Sequence, residues 1–108
     1  MSTGAQPQYG ATLGEIMGTL DAAGFSAQMA SRPGGMILCF TCRNESPAAE
    51  FDMQAQRRTE GASDPDDMLA IVGLVCPRCG TKGTAVLGYG PEADPDDSEV
   101  LVRLGIHH

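Results

Sequence analysis

Histidine, aromatic residues and basic residues are all scarce in this chain. Its 108 residues include two histidines, three phenylalanines, two tyrosines and no tryptophan. Both histidines stand at the extreme end, as His107 and His108, which is too close a spacing for a preformed metal site. With no other histidine, the chain offers no Ser-His-Asp catalytic set. We therefore expect a protein that is not an enzyme, with no catalytic residues to assign.

Positive charge and long apolar runs are also in short supply. Seven basic residues stand against 14 acidic ones, so the formal net charge is −7. A negative molecule repels phosphate, which disfavours nucleic acid as a partner. No stretch approaches the roughly 20 apolar residues that cross a bilayer, and residues 1–6 lack the pattern of a secretory signal. We expect a cytoplasmic protein with no membrane partner.

The length and the polar ends bound the folded part. A chain of 108 residues is typical of one domain, large enough for a core and small enough for a metal cross-link to matter. We expect the first ten residues and the last four to add little to the hydrophobic core. The predicted organisation is a disordered tail at residues 1–10, a single domain at 11–104 and a flexible end at 105–108.

Four cysteines in two CxxC pairs carry the chemistry of this sequence. In a reducing compartment, paired CxxC motifs indicate metal binding or redox cycling more often than permanent disulfides. Two residues between thiols let a tight turn point both sulfurs at one ion, and two such turns complete the tetrahedral site that zinc prefers. The predicted ligands of one structural Zn²⁺ are Cys39, Cys42, Cys76 and Cys79.

Helical periodicity occurs near both ends of the chain. The first apolar set has the spacing i, i+3, i+4, i+7 of one helix face; its members are Leu13, Ile16, Met17 and Leu20. Thr12 and Glu15 form a capping box at its start, and Gly24 suits the left-handed position at its end, where Phe25 would pack back on the helix. A second, short helix is predicted from Asp94, which suits the N-cap. Its inward residues are Val100, Leu101 and Leu104.

Between the helices, period-two alternation and short apolar runs predict strands. Residues 25–29 and 36–38 flank a Pro-Gly-Gly turn and lead into the first CxxC. Residues 49–55 place Ala49, Phe51, Met53 and Ala55 on one face. After a loop at 61–67, residues 68–75 read as a central strand entering the second CxxC, and residues 84–89 return from it. The predicted fold is α+β: an N-terminal helix, an antiparallel sheet built from hairpins, and a short C-terminal helix.

The arrangement of strands around the cysteines is similar to a zinc ribbon with rubredoxin-type knuckles. The resemblance covers residues 36–90: strand, CxxC and strand, then strand, Cys76-Pro77-Arg78-Cys79-Gly80 and strand. It implies that each CxxC lies at a hairpin tip. In that family a glycine after the second cysteine lets backbone amides point at sulfur. Gly80 matches this pattern, whereas Arg43 stands there in the first knuckle, which implies a strained or differently shaped turn.

The same donor set also describes a rubredoxin-like iron site. Rubredoxins surround their iron with aromatic side chains, and this chain has few of them. Zinc is therefore the preferred metal, with iron as the alternative.

Three functions are compatible with these residues. A closed four-cysteine site holds structure, which favours a non-enzymatic, zinc-stabilised module that interacts with another protein. The first alternative is nucleic-acid binding through Arg43, Arg78 and Lys82, since residues 76–90 contain no acid; compensation of the negative zinc–thiolate centre is the competing interpretation of these cations. The second alternative is a thiol oxidoreductase, because a single CxxC can be a redox dithiol.

Overall fold

The computed structural model describes residues 13–59, 68–89 and 93–106. Within these residues the chain forms two helices and one mixed sheet of six strands, so the predicted α+β class is confirmed. The predicted tail at 1–10, the capping residue Thr12 and the predicted loop at 61–67 lie outside the described residues.

One helix precedes the six strands in the chain and the other follows them. They are α1 (Leu13–Ala22) and α2 (Pro95–Arg103). The strands are β1 (Ala27–Arg32), β2 (Met36–Cys39), β3 (Asn44–Pro47), β4 (Asp52–Arg58), β5 (Leu69–Val75) and β6 (Lys82–Gly88), with a 3-10 turn at Ala48–Glu50. With ten and nine residues, α1 and α2 are both too short to cross a membrane, and no other helix occurs in the described ranges.

The spatial order of the strands is β3–β2–β1–β6–β5–β4. Every neighbouring pair is antiparallel except β1 and β6, which run parallel, with Ala27 opposite Gly83 and Gln28 opposite Thr84. The predicted hairpins are therefore present, and the one parallel pair joins the two halves of the sheet. This junction makes the sheet mixed where the sequence predicted an antiparallel one.

Helix α1 ends and packs as its apolar spacing predicts. Ile16 and Leu20 are buried, and Gly24 closes the helix in the left-handed conformation at φ +104°. The Phe25 N–H then donates to the Leu20 carbonyl at 2.9 Å, and Phe25 packs with these residues against Ile71 of β5. The turn after α1 thereby fixes the helix on one face of the sheet.

Strand β5 is buried on both faces, as a central strand should be. Ala70, Val72 and Leu74 belong to the core cluster that contains the buried residues of α2, whereas Ile71 belongs to the cluster under α1. Successive side chains of a strand point to opposite faces, so the two helices cover opposite sides of the sheet. We call these sides the α1 face and the α2 face.

The predicted strand at residues 49–55 is wrong in two respects. Ala49 lies in the 3-10 turn, and the strand begins at Asp52. A register shift between Met53 and Ala55 then interrupts the pairing with β5. A β-bulge moves later side chains to the opposite face, so Met53 packs in the α2-face cluster and Ala55 in the α1-face cluster.

Helix α2 has the predicted start and the predicted inward residues. The Asp94 side chain accepts a hydrogen bond from the Asp96 N–H at 2.8 Å, which satisfies a free amide of the first turn. Val100 and Leu101 are fully buried. Ile106 is also buried against this cluster, so the core extends beyond the predicted domain boundary at residue 104.

Candidate metal centre

The two CxxC motifs occupy the tips of two hairpins at the same end of the sheet. Cys39 is the last residue of β2, and Cys42 lies in the turn that leads to β3. Cys76 directly follows β5, and Cys79 lies three residues before β6 begins at Lys82. Strand β1 lies between the hairpins, next to β2 on one side and β6 on the other.

The fold brings all four sulfur atoms together. Every Sγ lies within 4.8 Å of the other three, and the Sγ–Sγ distances Cys39–Cys79 and Cys42–Cys76 are both 3.8 Å. Each of these contacts joins one hairpin to the other. The cysteines are free thiols, since a disulfide bond is about 2.05 Å long. Residues separated by 34 to 40 positions thus converge on one point.

These distances suit a four-coordinate metal ion. Zinc–sulfur bonds of about 2.3 Å in a regular tetrahedron place neighbouring sulfurs about 3.8 Å apart. The donors are all sulfur, which favours a soft or borderline metal such as zinc or iron over calcium or magnesium. The four cysteines are therefore positioned to hold a metal ion.

The backbone of both knuckles is the same despite their different sequences. The Arg43 N–H donates to the Cys39 carbonyl at 2.7 Å, and the Gly80 N–H donates to the Cys76 carbonyl at 3.0 Å. Both donors are left-handed, with φ +61° at Arg43 and +74° at Gly80. The first turn therefore has the shape of the second and carries strain, because a non-glycine residue in this region costs about 1–2 kcal/mol.

The second knuckle contributes hydrogen bonds to its sulfurs. The Arg78 N–H donates to Cys76 Sγ at 3.4 Å, and the Thr81 hydroxyl lies 3.0 Å from Cys79 Sγ. Donors of this kind stabilise negative charge on sulfur. Two donors of the second knuckle are thus placed to stabilise sulfur in the charged form that a metal ligand has.

Burial makes the four thiols unequal. Cys39 and Cys76 are buried, Cys42 is intermediate and Cys79 is exposed. Loss of solvation raises the pKa of the Cys39 thiol to about 11, whereas hydrogen bonding from the Thr81 hydroxyl lowers the pKa of Cys79 to about 6. Without a bound metal, Cys79 is therefore a stronger acid than Cys39.

The three basic residues near the knuckles do not share one surface. The Arg78 Nε–H donates to the buried Ser46 hydroxyl at 2.9 Å, and Ser46 pairs with Ile37 of the α2 face. The Lys82 ammonium lies 5.6 Å from the centre of the Phe25 ring, on the α1 face. The predicted cluster of Arg43, Arg78 and Lys82 is thus divided between two faces, and nucleic-acid binding stays a prediction.

Ser46 is a contributor that the sequence did not reveal. It is 1% exposed and ties the second knuckle to β3 of the first hairpin through Arg78. A lone serine in a polar segment gives no periodic signal, and only the pairing of β2 with β3 places it in the core. The buried hydroxyl therefore joins the two hairpins beside the sulfurs.

Comparisons with protein-family models, with curated proteins and with solved structures returned no match to this chain. The case for a metal site thus depends on the geometry of the four cysteines.

Proposed function

We propose that Cys39, Cys42, Cys76 and Cys79 bind one structural Zn²⁺ ion in a centre like that of a zinc ribbon. The observation that supports this most directly is the pair of 3.8 Å contacts between sulfurs of different hairpins. Zinc rather than iron follows from the scarcity of aromatic side chains. A reducing cytoplasm would keep the four thiols available for the metal.

We further propose that the protein is a non-enzymatic interaction module. Four sulfur ligands close the coordination sphere, so the ion keeps no open position for water or substrate. Its contribution is then to cross-link two hairpins whose CxxC motifs are separated by 33 residues in the chain. A rigid sheet of this size is suited to presenting a surface to another protein.

Metal analysis of the purified protein tests the proposed centre. We expect one zinc per chain by native mass spectrometry and elemental analysis, and loss of zinc with a large fall in melting temperature in Cys39→Ser. Thr41→Ala is the matched control, because Thr41 is exposed in the same turn and is not a proposed ligand. Full stability of Cys39→Ser would contradict the proposal.

A thiol oxidoreductase is a second candidate, favoured by the exposed Cys79 with its lowered pKa. Such an enzyme needs a reactive thiolate in its working form. Alkylation of the zinc-loaded protein separates the two functions: a structural site protects all four thiols, whereas a redox site leaves Cys79 rapidly modified. Insulin reduction by the metal-loaded protein would favour the second candidate.

A further inference from the structure

The α1 face of the sheet is only half covered. Helix α1 packs against Ile71 of β5 and Ala55 of β4. On the other half of the same face, no helix of the described residues lies over β1, β2 and β3. The α2 face has no equivalent gap near β1, because α2 packs on β1 and β6 there. The uncovered surface is therefore particular to one side of the molecule.

Apolar side chains line this uncovered half. Ile37 and Cys39 point into the α2-face core, so Leu38, which lies between them in β2, points to the α1 face. Phe40 follows with 48% of its surface exposed, and Val86 of β6 is 38% exposed. Phe40 lines a pocket of about 360 Å³ and also an adjacent groove of about 320 Å³ whose wall includes Met17 of α1. We call this surface the Phe40 groove.

The dimensions of the Phe40 groove suit one helix. Three strands spaced about 4.8 Å apart cover roughly 10–14 Å, and a helix with its side chains is about 10–12 Å wide. Helix α1 packs beside this half of the face, on β5, β6 and Ala55 of β4, and leaves Val86 of β6 partly exposed at the border. A second helix beside it would complete the layer.

The charges around the groove define the chemistry of the occupant. Arg43 lines the 360 Å³ pocket together with Leu38 and Phe40. It is exposed and has no side-chain partner among the described residues. Arg32, at the far end of β1, is paired at 3.2 Å with Glu45 of β3, which lies opposite Leu38. Arg43 is thus a cation of the pocket wall that can pair with a carboxylate. Its left-handed backbone carries a strain that Gly80 avoids in the equivalent turn.

We infer that the Phe40 groove binds a short amphipathic helix of a partner protein. The apolar side of that helix packs on Leu38, Phe40 and Val86, and an Asp or Glu side chain of the helix pairs with Arg43. This inference builds on the proposed role as an interaction module and names its surface and partner class. A second copy of this chain is disfavoured because each copy carries a net charge of −7.

A displayed library of 14-residue peptides tests the inference on the full, zinc-loaded chain. One arm of the library carries apolar residues at i, i+3, i+4 and i+7 with variable charges, and the other arm is random. We expect enrichment of the helical arm, with Asp or Glu near one end. Amide chemical shifts of the labelled protein should move at Leu38, Phe40 and Val86 on binding.

Variants locate the binding energy. Phe40→Glu should lower the affinity for the selected peptides at least about tenfold, as loss of a central aromatic anchor does. Phe40 lies within a CxxC motif, so Phe40→Glu could also disturb metal binding. Val86→Glu, away from the knuckle, should weaken peptide binding to a similar extent without that effect. Val102→Glu is the matched control: Val102 is 64% exposed on α2, on the other side of the sheet, and should change nothing. Arg43→Gly should lower the affinity about two- to fivefold, and only for peptides that contain the Asp or Glu residue.

Three results would overturn the inference: no enrichment of the helical arm, peptides that bind Phe40→Glu and Val86→Glu as well as the parent, or a dimer in solution that Phe40→Glu dissociates. Failure here is distinguishable from failure of the proposed function. A zinc-loaded protein that binds peptides at another surface keeps its role as an interaction module, whereas a chain that holds no metal loses the proposed centre whatever its groove binds.

Discussion

The two knuckles of this protein have the same backbone but different residues at its left-handed position. In each, the residue after the second cysteine donates its N–H to the carbonyl of the first, and in each it is left-handed. The first knuckle has Arg43 at that position and the second has Gly80. The first cysteine of each knuckle is buried, whereas the second is half-buried at Cys42 and exposed at Cys79. The comparison indicates that the convergence of four sulfurs and the hairpin register determine the backbone conformation of the turn. Glycine only lowers the strain of its left-handed residue.

Removing a buried ligand should have the largest effect. Cys39→Ser deletes a donor that is 0% exposed, so we expect loss of the metal and a fall in the free energy of unfolding of roughly 4 kcal/mol or more, because binding and folding are coupled. Cys79→Ser should cost about half as much, since water can reach the vacated position. Urea unfolding with metal analysis measures both, and equal losses would show that burial does not distinguish the two ligand positions.

Metal removal should be promoted by acid. Protons compete with the ion for thiolates, so lowering the pH favours release and raising it favours binding. We expect the melting temperature to fall as the pH is lowered until it equals that of the chelator-treated protein at the same pH. Identical melting curves with and without chelator at pH 7 would contradict this.

The metal-free protein should show the inequality of its thiols directly. With its pKa near 6, Cys79 should react with iodoacetamide at pH 7 and lose reactivity as the pH falls below about 6. Cys39, buried and with its pKa near 11, should react much more slowly than Cys79. Peptide mapping after short exposure measures the order. Thr81→Val is the control, because loss of the hydroxyl should raise the pKa of Cys79 toward its ordinary range.

Substitutions at the two left-handed positions test how much backbone strain the first turn carries. Arg43→Gly should raise the free energy of unfolding by about 1 kcal/mol, and Gly80→Ala should lower it by about 1–2 kcal/mol. A Cβ at Gly80 meets no atom within 4 Å, so backbone strain is the whole expected effect there. If Arg43→Gly destabilises the zinc-loaded protein, the arginine side chain contributes more than its backbone costs.

The smallest expected change in stability concerns the hydrogen bond from Arg78 to Ser46, which joins the two hairpins. Ser46→Ala removes the acceptor of Arg78 and should cost about 1 kcal/mol. Arg78→Lys should show a similar loss, since the bond is made by the guanidinium Nε. A double-mutant cycle with no coupling between the two would show that the pairing contributes nothing to stability.

The parts of the fold that follow from local pattern were predictable. Apolar spacing predicted both helices, and the run at 68–75 predicted a buried central strand. CxxC spacing selected the four residues whose sulfurs converge. Strand β3 was not predictable, because Ser46 is its one buried residue and its extended form comes from pairing with β2. The bulge after Met53 and the parallel pairing of β1 with β6 are tertiary features without a local signal.

The position of β1 has a consequence for how the molecule opens. This strand is flanked by β2 and β6, and each of those strands belongs to a hairpin that supplies two of the four sulfurs. With an ion in place, neither hairpin can peel away from β1 without breaking a coordination bond. Amide protons of β1 should therefore exchange with deuterium only through unfolding of the entire sheet, and chelation should accelerate their exchange more than that of β4 at the far edge.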